Sequence, residues 1–313
     1  MSSIAVHEVG SRGEGPYSVA VTDDGAVWCT LVHAGAVVRG TPGTPIADGT
    51  DAEGPGAQLR FERTQVSVAS GVGPMQSSQV VAAGDDTVWV SDTGGDALVL
   101  VGPAGVVRRI DVPTPEAQPF GIASQADGTA WFTELGRDAL GHIDLFGRVT
   151  EYPSGTREGF VSMIASSGES LWFTANQANA IGYIRGGDSA VQLFDIPTPH
   201  SGPVGIVVGD DGAAWFTEIL AGAVGRVDRQ GRFTEHPLPW PESKPHALCV
   251  DPAGGFWVTL WGANELAHLD VDGTVELVDL APSGHEEPHG LAVDASGTVW
   301  VAMESGALLA VTR

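Results

Sequence analysis

A tryptophan recurs at nearly constant spacing along the chain, and this repeat constrains the fold more than any other feature. Each of these tryptophans follows a turn rich in Asp and Gly, and small or β-branched residues come after it. The series is Trp28, Trp89, Trp131, Trp172, Trp215, Trp257 and Trp300, with successive spacings of 61, 42, 41, 43, 42 and 43 residues. A fixed period of roughly 40 residues is typical of repeat architectures such as solenoids and propellers.

Each repeat unit contains four short segments with the features of β-strands. The fifth unit shows them in order: GPVGIVVG, the turn DDG, AAWFTEI, GAVGRVD, the turn RQG, and RFTEHPL. Short strands separated by Gly and Asp turns, without a helical apolar period, indicate an all-β array. Four strands per unit are typical of a propeller blade. The sequence therefore predicts an all-β, seven-bladed β-propeller with four-stranded blades, in which residues 1–313 form a single domain.

The two ends of the chain predict how the ring closes. The last unit stops after GALLAVTR, its third strand, whereas the first residues, IAVHEVG, resemble a spare fourth strand. Pairing of the N-terminal strand with the last blade would remove the exposed sheet edges. The long interval after Trp28 contains extra residues around 41–57 that are rich in Pro, Gly, Thr and Asp. We expect them to form a surface insertion between the third and fourth strands of blade one, on the face opposite His289.

Charge and terminal sequence restrict the class of partner. The formal net charge is −24 and Lys244 is the only lysine, which argues against nucleic acid or an anionic membrane as a partner. The N-terminus, MSSIAVHEVG, has no basic start and no apolar run of signal length, and no segment is long enough to span a bilayer. We therefore expect a cytoplasmic protein.

Alignment of the units on tryptophan reveals a candidate site. The position eleven residues before each tryptophan lies at the start of the innermost strand of its blade. In blade order this position is occupied by Tyr17, Ser78, Phe120, Val161, Val204, His246 and His289. Because a closed ring makes blades six, seven and one neighbours, Tyr17, His246 and His289 would form one arc at the mouth of the central channel.

Two glutamates belong to the same rim. The position four residues after each tryptophan is occupied by Val32, Thr93, Leu135, Asn176, Ile219, Trp261 and Glu304, of which only Glu304 is charged. A tight antiparallel hairpin brings the end of its second strand beside the start of its first, so Glu304 should lie next to His289 and Glu287. Trp261 stands in the neighbouring blade, and we include it among the substrate-binding residues.

These residue types favour metal-assisted acid–base chemistry. Glu287 and Glu304 offer hard oxygen ligands without a thiolate, which favours Mg²⁺ or Ca²⁺ over zinc. A histidine beside such a cation can act as a general base while the metal polarises a substrate carbonyl. The set would serve proton abstraction next to a carbonyl or metal-assisted hydrolysis, and the residues alone do not separate the two. We interpret Glu134 and Glu218, which share the phrase WFTE, as part of the blade pattern, and His33 as a surface residue of a loop.

The chain resembles the virginiamycin B lyase family, also called streptogramin B lyases. The resemblance spans essentially the whole chain and is most specific in KPHALCV, WGAN, EEPHGLAV and VAMES of the last two blades. It implies a monomeric propeller that linearises cyclic depsipeptide antibiotics by elimination at the threonine ester, without hydrolysis, and so confers resistance. Matched position by position, it implies that His289 is the catalytic base, that Glu287 and Glu304 bind Mg²⁺, and that His246 and Tyr17 contact the substrate.

Two other classes remain as alternatives. Propellers also serve as non-catalytic scaffolds that bind peptides or proteins, because a fold does not determine a function. A metal-dependent lactonase-type hydrolase is the second alternative; sites of that kind take ligands, including Asn and Asp, from several blades, and the inner positions of this chain do not supply that set.

Overall fold

Seven four-stranded antiparallel sheets make up the part of the chain that the computed structural model describes, which is residues 2–42, 59–67, 76–168, 170–185 and 190–313. The innermost strands of successive sheets are in contact all around a ring, including those of the last sheet and the first. The predicted all-β, seven-bladed propeller is confirmed.

In blades one to six the strands follow one another in chain order from the channel outward, and in blade seven the N-terminal strand is outermost. Blade one has β2 (Pro16–Val21), β3 (Val27–Leu31), β4 (Ala36–Pro42) and β5 (Leu59–Gln65), and blade two has β6 (Ser77–Gly84), β7 (Thr87–Asp92), β8 (Ala97–Gly102) and β9 (Gly105–Asp111). Blade three has β10 (Pro119–Ser124), β11 (Ala130–Glu134), β12 (Ala139–Ile143) and β13 (Val149–Pro153), and blade four has β14 (Val161–Ser167), β15 (Ser170–Ala175), β16 (Ala180–Arg185) and β17 (Val191–Asp195). Blade five has β18 (Pro203–Val208), β19 (Ala214–Glu218), β20 (Ala223–Val227) and β21 (Phe233–Pro237), and blade six has β22 (Pro245–Val250), β23 (Phe256–Leu260), β24 (Glu265–Leu269) and β25 (Val275–Asp279). Blade seven has β26 (Pro288–Val293), β27 (Val299–Met303), β28 (Ala307–Thr312) and the N-terminal strand β1 (Ser3–Glu8), and short 3-10 turns occur at Thr93–Gly95, Pro241–Ser243 and Ala281–Ser283.

The ring closes as the chain ends predict. Strand β1 pairs antiparallel with β28, with Ser3 opposite Thr312 and Glu8 opposite Ala307. The predicted insertion falls between β4 and β5, the third and fourth strands of blade one, but residues 43–58 lie outside the described residues. Within the described ranges, no helix is both long and apolar enough to cross a membrane.

Each tryptophan of the repeat packs toward the following blade. Trp28 of blade one lies in one apolar cluster with Val80, Val88 and Val90 of blade two. In the same way Trp300 of blade seven packs with Val19 and Cys29 of blade one, across the closing junction. The tryptophan repeat therefore reflects the packing contacts between neighbouring blades.

A close approach of aromatic rings to glycine explains the phrase WFT and the glycine that follows it. In blades three, four and five, the Phe of this phrase lies opposite a glycine of the third strand: Phe132 and Gly141, Phe173 and Gly182, Phe216 and Gly225. A Cβ at Gly141 would lie 1.9 Å from the ring of Phe132, so a side chain at this glycine would displace the phenyl group.

Buried hydroxyl groups join successive blades near the channel. Two residues after the tryptophan, a Thr or Ser accepts a backbone N–H of its own blade and donates to a backbone carbonyl of the next. Thr133 shows both bonds: its Oγ1 accepts from Gly121 N at 2.8 Å and donates to Ser162 O at 2.5 Å. The residues concerned are Thr30, Ser91, Thr133, Thr174, Thr217 and Thr259. In blade seven the position is occupied by Ala302, which has no hydroxyl group.

We expect Thr133→Val to lower the free energy of unfolding by about 2–3 kcal/mol, since it leaves a buried amide and a buried carbonyl without their partner. Urea unfolding followed by circular dichroism measures the change. Thr150→Val, at an exposed position of the outer strand β13, is the matched control and should change stability little. Equal effects of the two substitutions would show that the hydroxyl contact between blades contributes nothing.

Candidate active site

The structure brings Tyr17, His246 and His289 together at one mouth of the channel. The ring centroids of Tyr17 and His289 are 4.9 Å apart, those of His246 and His289 are 4.6 Å apart, and those of Tyr17 and His246 are 5.7 Å apart. The Tyr17 hydroxyl lies 3.5 Å from Nε2 of His246. The arc that the repeat register predicts is therefore present across blades six, seven and one.

A backbone irregularity places each of these side chains. In β26 the pairing with β27 shifts register between Pro288 and Leu291, and β2 and β22 show the same shift after Pro16 and Pro245. A bulge of this kind leaves residues outside the ladder and redirects their side chains. Tyr17, His246 and His289 all occupy the residue directly after the proline, so one local feature orients the whole arc.

Glu304 holds the ring of His289. Its Oε2 lies 2.5 Å from Nε2 of His289, and this hydrogen bond is the main cause that lowers the pKa of Glu304 to about 2. An ionised carboxylate can only accept hydrogen bonds, so Nε2 of His289 carries the proton of this bond. The other ring nitrogen, Nδ1, is buried and has no hydrogen-bond partner in the described part of the protein. The arrangement leaves the Nδ1 lone pair available to accept a proton.

A second histidine, His33, also contacts the carboxylate of Glu304, and the sequence interpretation did not identify this contact. His33 is exposed and lies in a loop, as expected, but its Nε2 is 3.2 Å from Oε1 of Glu304. The surface position of His33 agrees with the sequence interpretation, and the structure adds that Glu304 bridges His33 of blade one and His289 of blade seven. The repeat contained a signal for His33, which lies five residues after Trp28. In four other blades the same position is a small residue, namely Gly94, Gly136, Gly262 or Ser305.

Glu287 lies at the same edge of blade seven as Glu304. Its backbone carbonyl accepts the N–H of Glu304 at 3.0 Å, its φ of 64° lies in the left-handed region, and the residue is exposed. Two carboxylates at adjoining backbone positions fit the oxygen ligands that Mg²⁺ prefers, with water and substrate filling its other positions. Among the described residues, no cluster of three or more His, Cys, Asp or Glu is arranged to hold a metal ion.

Several polar groups around His289 have no hydrogen-bond partner in the described part of the chain. The Trp261 ring lies 6.2 Å from that of His289, with Nζ of Lys244 4.7 Å from the indole centroid. Trp261 Nε1 and His246 Nδ1, like His289 Nδ1, are buried without a partner in the described ranges. Buried polar atoms normally have partners, so these three nitrogens are suited to meet polar groups of a ligand.

Desolvation keeps the neighbours of His289 uncharged. Burial is the first cause that lowers the pKa of His246 to about 3, followed by repulsion from His289. Burial also raises the pKa of Tyr17 well above its usual value, and the charge of Glu304 adds to the effect. At neutral pH the arc therefore contains a neutral imidazole and a protonated phenol beside the imidazole of His289.

Glu134 and Glu218, the glutamates of the WFTE phrases, are buried outside this arc. Burial, together with the charge of a second glutamate, Glu151 for Glu134 and Glu235 for Glu218, raises the pKa of each to about 7. Glu151 and Glu235 lie on the outer strands of the same blades, three and five. Perturbed carboxyl groups often mark functional sites, but these two belong to the blade structure, in agreement with the interpretation from sequence.

Comparison with known proteins identifies relatives along nearly the whole chain. The model of the Virginiamycin B lyase family matches residues 2–311. A virginiamycin B lyase of Nocardia farcinica (strain IFM 10152) is 39% identical over 241 residues, which cover 77% of this chain and 76% of the relative.

Solved structures resemble the chain over the same extent. One is a catalytically inactive variant of virginiamycin B lyase from Staphylococcus aureus, with a histidine replaced by alanine, in complex with quinupristin; it aligns with a TM-score of 0.86 at 28% identity and covers 100% of both chains. A streptogramin B lyase structure aligns with a TM-score of 0.86 at 26% identity, covering 99% of this chain and 97% of the other.

The buried carboxyl of Glu218 predicts a pH dependence of stability. Its pKa is about 7 in the folded protein, against 4.5 for an unperturbed group. The folded state therefore binds the proton more tightly, and the resulting stability is complete below about pH 4.5 and is lost as the pH rises through 7.

We expect Glu218→Gln to be more stable than the parent protein at pH 8, by on the order of 3 kcal/mol given about 1.4 kcal/mol per pKa unit, and nearly equal to it at pH 5. Thermal unfolding at both pH values measures the difference. The exposed Glu242→Gln is the control, and a Glu218→Gln advantage that does not change between pH 5 and pH 8 contradicts the assignment.

Proposed function

The chain belongs to the virginiamycin B lyase family, and from this premise we propose that it is a Mg²⁺-dependent carbon–oxygen lyase that linearises streptogramin B antibiotics. The observation that carries the proposal is the state of His289: the ionised Glu304 holds its Nε2–H, while Nδ1 is buried at the channel mouth and unpaired. The inactive histidine variant of the Staphylococcus aureus enzyme, solved with quinupristin, supports a histidine-dependent reaction on such a cyclic depsipeptide.

The proposed reaction is an elimination at the ester of the threonine residue. His289 Nδ1 accepts the α-proton of the threonine, and the electron pair of that C–H bond forms the double bond between Cα and Cβ. The Cβ–O bond breaks, and its electrons leave with the carboxylate. No water is consumed, so the linear product has the same mass as the cyclic substrate. Glu304 stabilises the imidazolium that forms, because the positive ring lies against its carboxylate.

The neutral groups of the arc have a positioning role in this proposal. The Tyr17 hydroxyl and Trp261 Nε1 can donate hydrogen bonds to carbonyl oxygens of the substrate, and the neutral His246 can donate without adding charge. An imidazole alone is a weak base for an α-proton. The acidity of the threonine Cα–H must therefore be increased by stabilising negative charge at the adjoining carbonyl. Mg²⁺, held by Glu287 and Glu304, would supply Lewis-acid stabilisation of the negative charge at that carbonyl oxygen.

The geometry favours an enzyme over a non-catalytic scaffold, and membership of the lyase family favours elimination over hydrolysis. A scaffold has no need of a buried unpaired imidazole nitrogen oriented by an ionised carboxylate. Because one ring supplies every residue of the arc, we propose a monomer; antibiotic resistance as the cellular role and the cytoplasmic location stay predictions.

We expect incubation with a streptogramin B, with Mg²⁺ present, to yield a linear product isomeric with the antibiotic. Mass spectrometry separates the outcomes: unchanged mass with a new chromatographic peak means elimination, a gain of one water means hydrolysis, and unreacted antibiotic means no turnover of this substrate. EDTA should suppress the reaction and excess Mg²⁺ should restore it. Turnover that is indifferent to EDTA would reject the metal requirement.

We expect His289→Ala to lower kcat by roughly 10²–10⁴-fold, the usual contribution of a general base. The steady-state rate of product formation measures the loss, and thermal unfolding verifies that the variant still folds. A folded His289→Ala protein with the parent kcat would remove His289 as the base.

A further inference from the structure

The junction between blades seven and one is built differently from the other six. At those six, a Thr or Ser hydroxyl donates to a carbonyl of the next blade; Thr217 donates to His246 O at 2.9 Å and Thr259 to His289 O at 2.7 Å. Blade seven has Ala302 at this position, fully buried and without a donor. The junction that carries the candidate site therefore lacks the polar contact between blades that the other junctions have.

On the site face, a different contact crosses this junction. Glu304 of blade seven accepts from His33 of blade one through Oε1 and from His289 of its own blade through Oε2. The two imidazoles thus occupy both oxygens of one carboxylate. Since the second bond fixes the carboxylate plane, rotation of Glu304 would require loss of the contact with His33, with His289, or with both.

The position of His33 is itself fixed by the loop before β2. His33 N donates to Glu14 O at 3.0 Å and Val32 N donates to Gly15 O at 2.8 Å. Gly15 has a φ of +66°, and a Cβ there would lie 2.7 Å from Cδ2 of His33, so the ring packs directly on the glycine. This loop is held in turn, because the Glu14 carboxylate accepts from Arg63 Nη1 at 2.6 Å and from Ser11 N at 2.6 Å.

We propose that His33 is a positioning residue: it anchors Glu304 to blade one across the ring-closing junction, and so orients the carboxylate for His289 and for the bound cation. The role in turnover rests on the proposed function. Hydrogen-bond partners that orient a metal ligand or a catalytic group commonly contribute 10–100-fold to metal affinity or activity.

Two substitutions at position 33 separate the hydrogen bond from the rest of the side chain. Gln places its amide nitrogen close to the position of Nε2, whereas the shorter Asn does not reach Glu304. The matched control is His200→Asn, since His200 is an exposed histidine in the loop that precedes β18 of blade five.

We expect His33→Asn to lower kcat about 10-fold with little change in KM, and to weaken Mg²⁺ binding by the substrate-free protein about 10-fold. His33→Gln should restore both to within about 3-fold, and His200→Asn should match the parent protein. Steady-state kinetics and isothermal titration with Mg²⁺ alone give the two readouts. Parent-like kcat and Mg²⁺ affinity in His33→Asn, or equal losses in His33→Asn and His33→Gln, overturn the proposal.

A third readout does not depend on the lyase assignment. The shift in unfolding midpoint is measured for His33→Asn, for Glu304→Gln and for the double variant. If the two side chains are coupled, the shift of the double variant is smaller than the sum of the single shifts. Additive shifts contradict the anchor even in an active enzyme, whereas coupling without any antibiotic turnover retains the anchor and rejects only the lyase function.

Discussion

The hydroxyl group that joins neighbouring blades is the contact on which the rest of this structure depends. Six of the seven junctions between neighbouring blades contain this contact, close to the innermost strands. A buried Thr or Ser makes the contact by accepting from its own blade and donating to the next. Thr217 and Thr259 bind the carbonyls of His246 and His289 themselves. The contacts that assemble the ring therefore also fix the backbone beneath two of the imidazoles.

Burial keeps one of these two imidazoles, that of His246, uncharged. Their ring centroids are 4.6 Å apart, a separation at which two positive charges would repel strongly. Because desolvation lowers the pKa of His246 to about 3, His246 stays neutral beside the imidazole that Glu304 holds. The two histidines occupy equivalent positions in the repeat, so their different roles follow from their surroundings and not from the repeat.

The tryptophan spacing predicts the blade number and the arc of Tyr17, His246 and His289, because both follow from the repeat register, and the two chain ends predict the closing strand. The partner of Glu304 in blade one could not be predicted in the same way. His33 and Glu304 are 271 residues apart, and their contact depends on how one loop packs on Gly15, which no periodicity encodes. The raised pKa of Glu218 was equally hidden, since it arises from burial and from Glu235 rather than from the phrase WFTE. The metal and the roles of individual residues are matters of chemistry that a repeat does not determine.

Ring closure has a consequence for biosynthesis. Synthesis proceeds from the N-terminus, so Tyr17 and His33 are made well before His289 and Glu304. Blades one to six contain Tyr17, His33 and His246, whereas blade seven adds His289 and Glu304. The candidate site is therefore completed only when blade seven is added, and a chain truncated before β26 would contain six blades without His289 and Glu304.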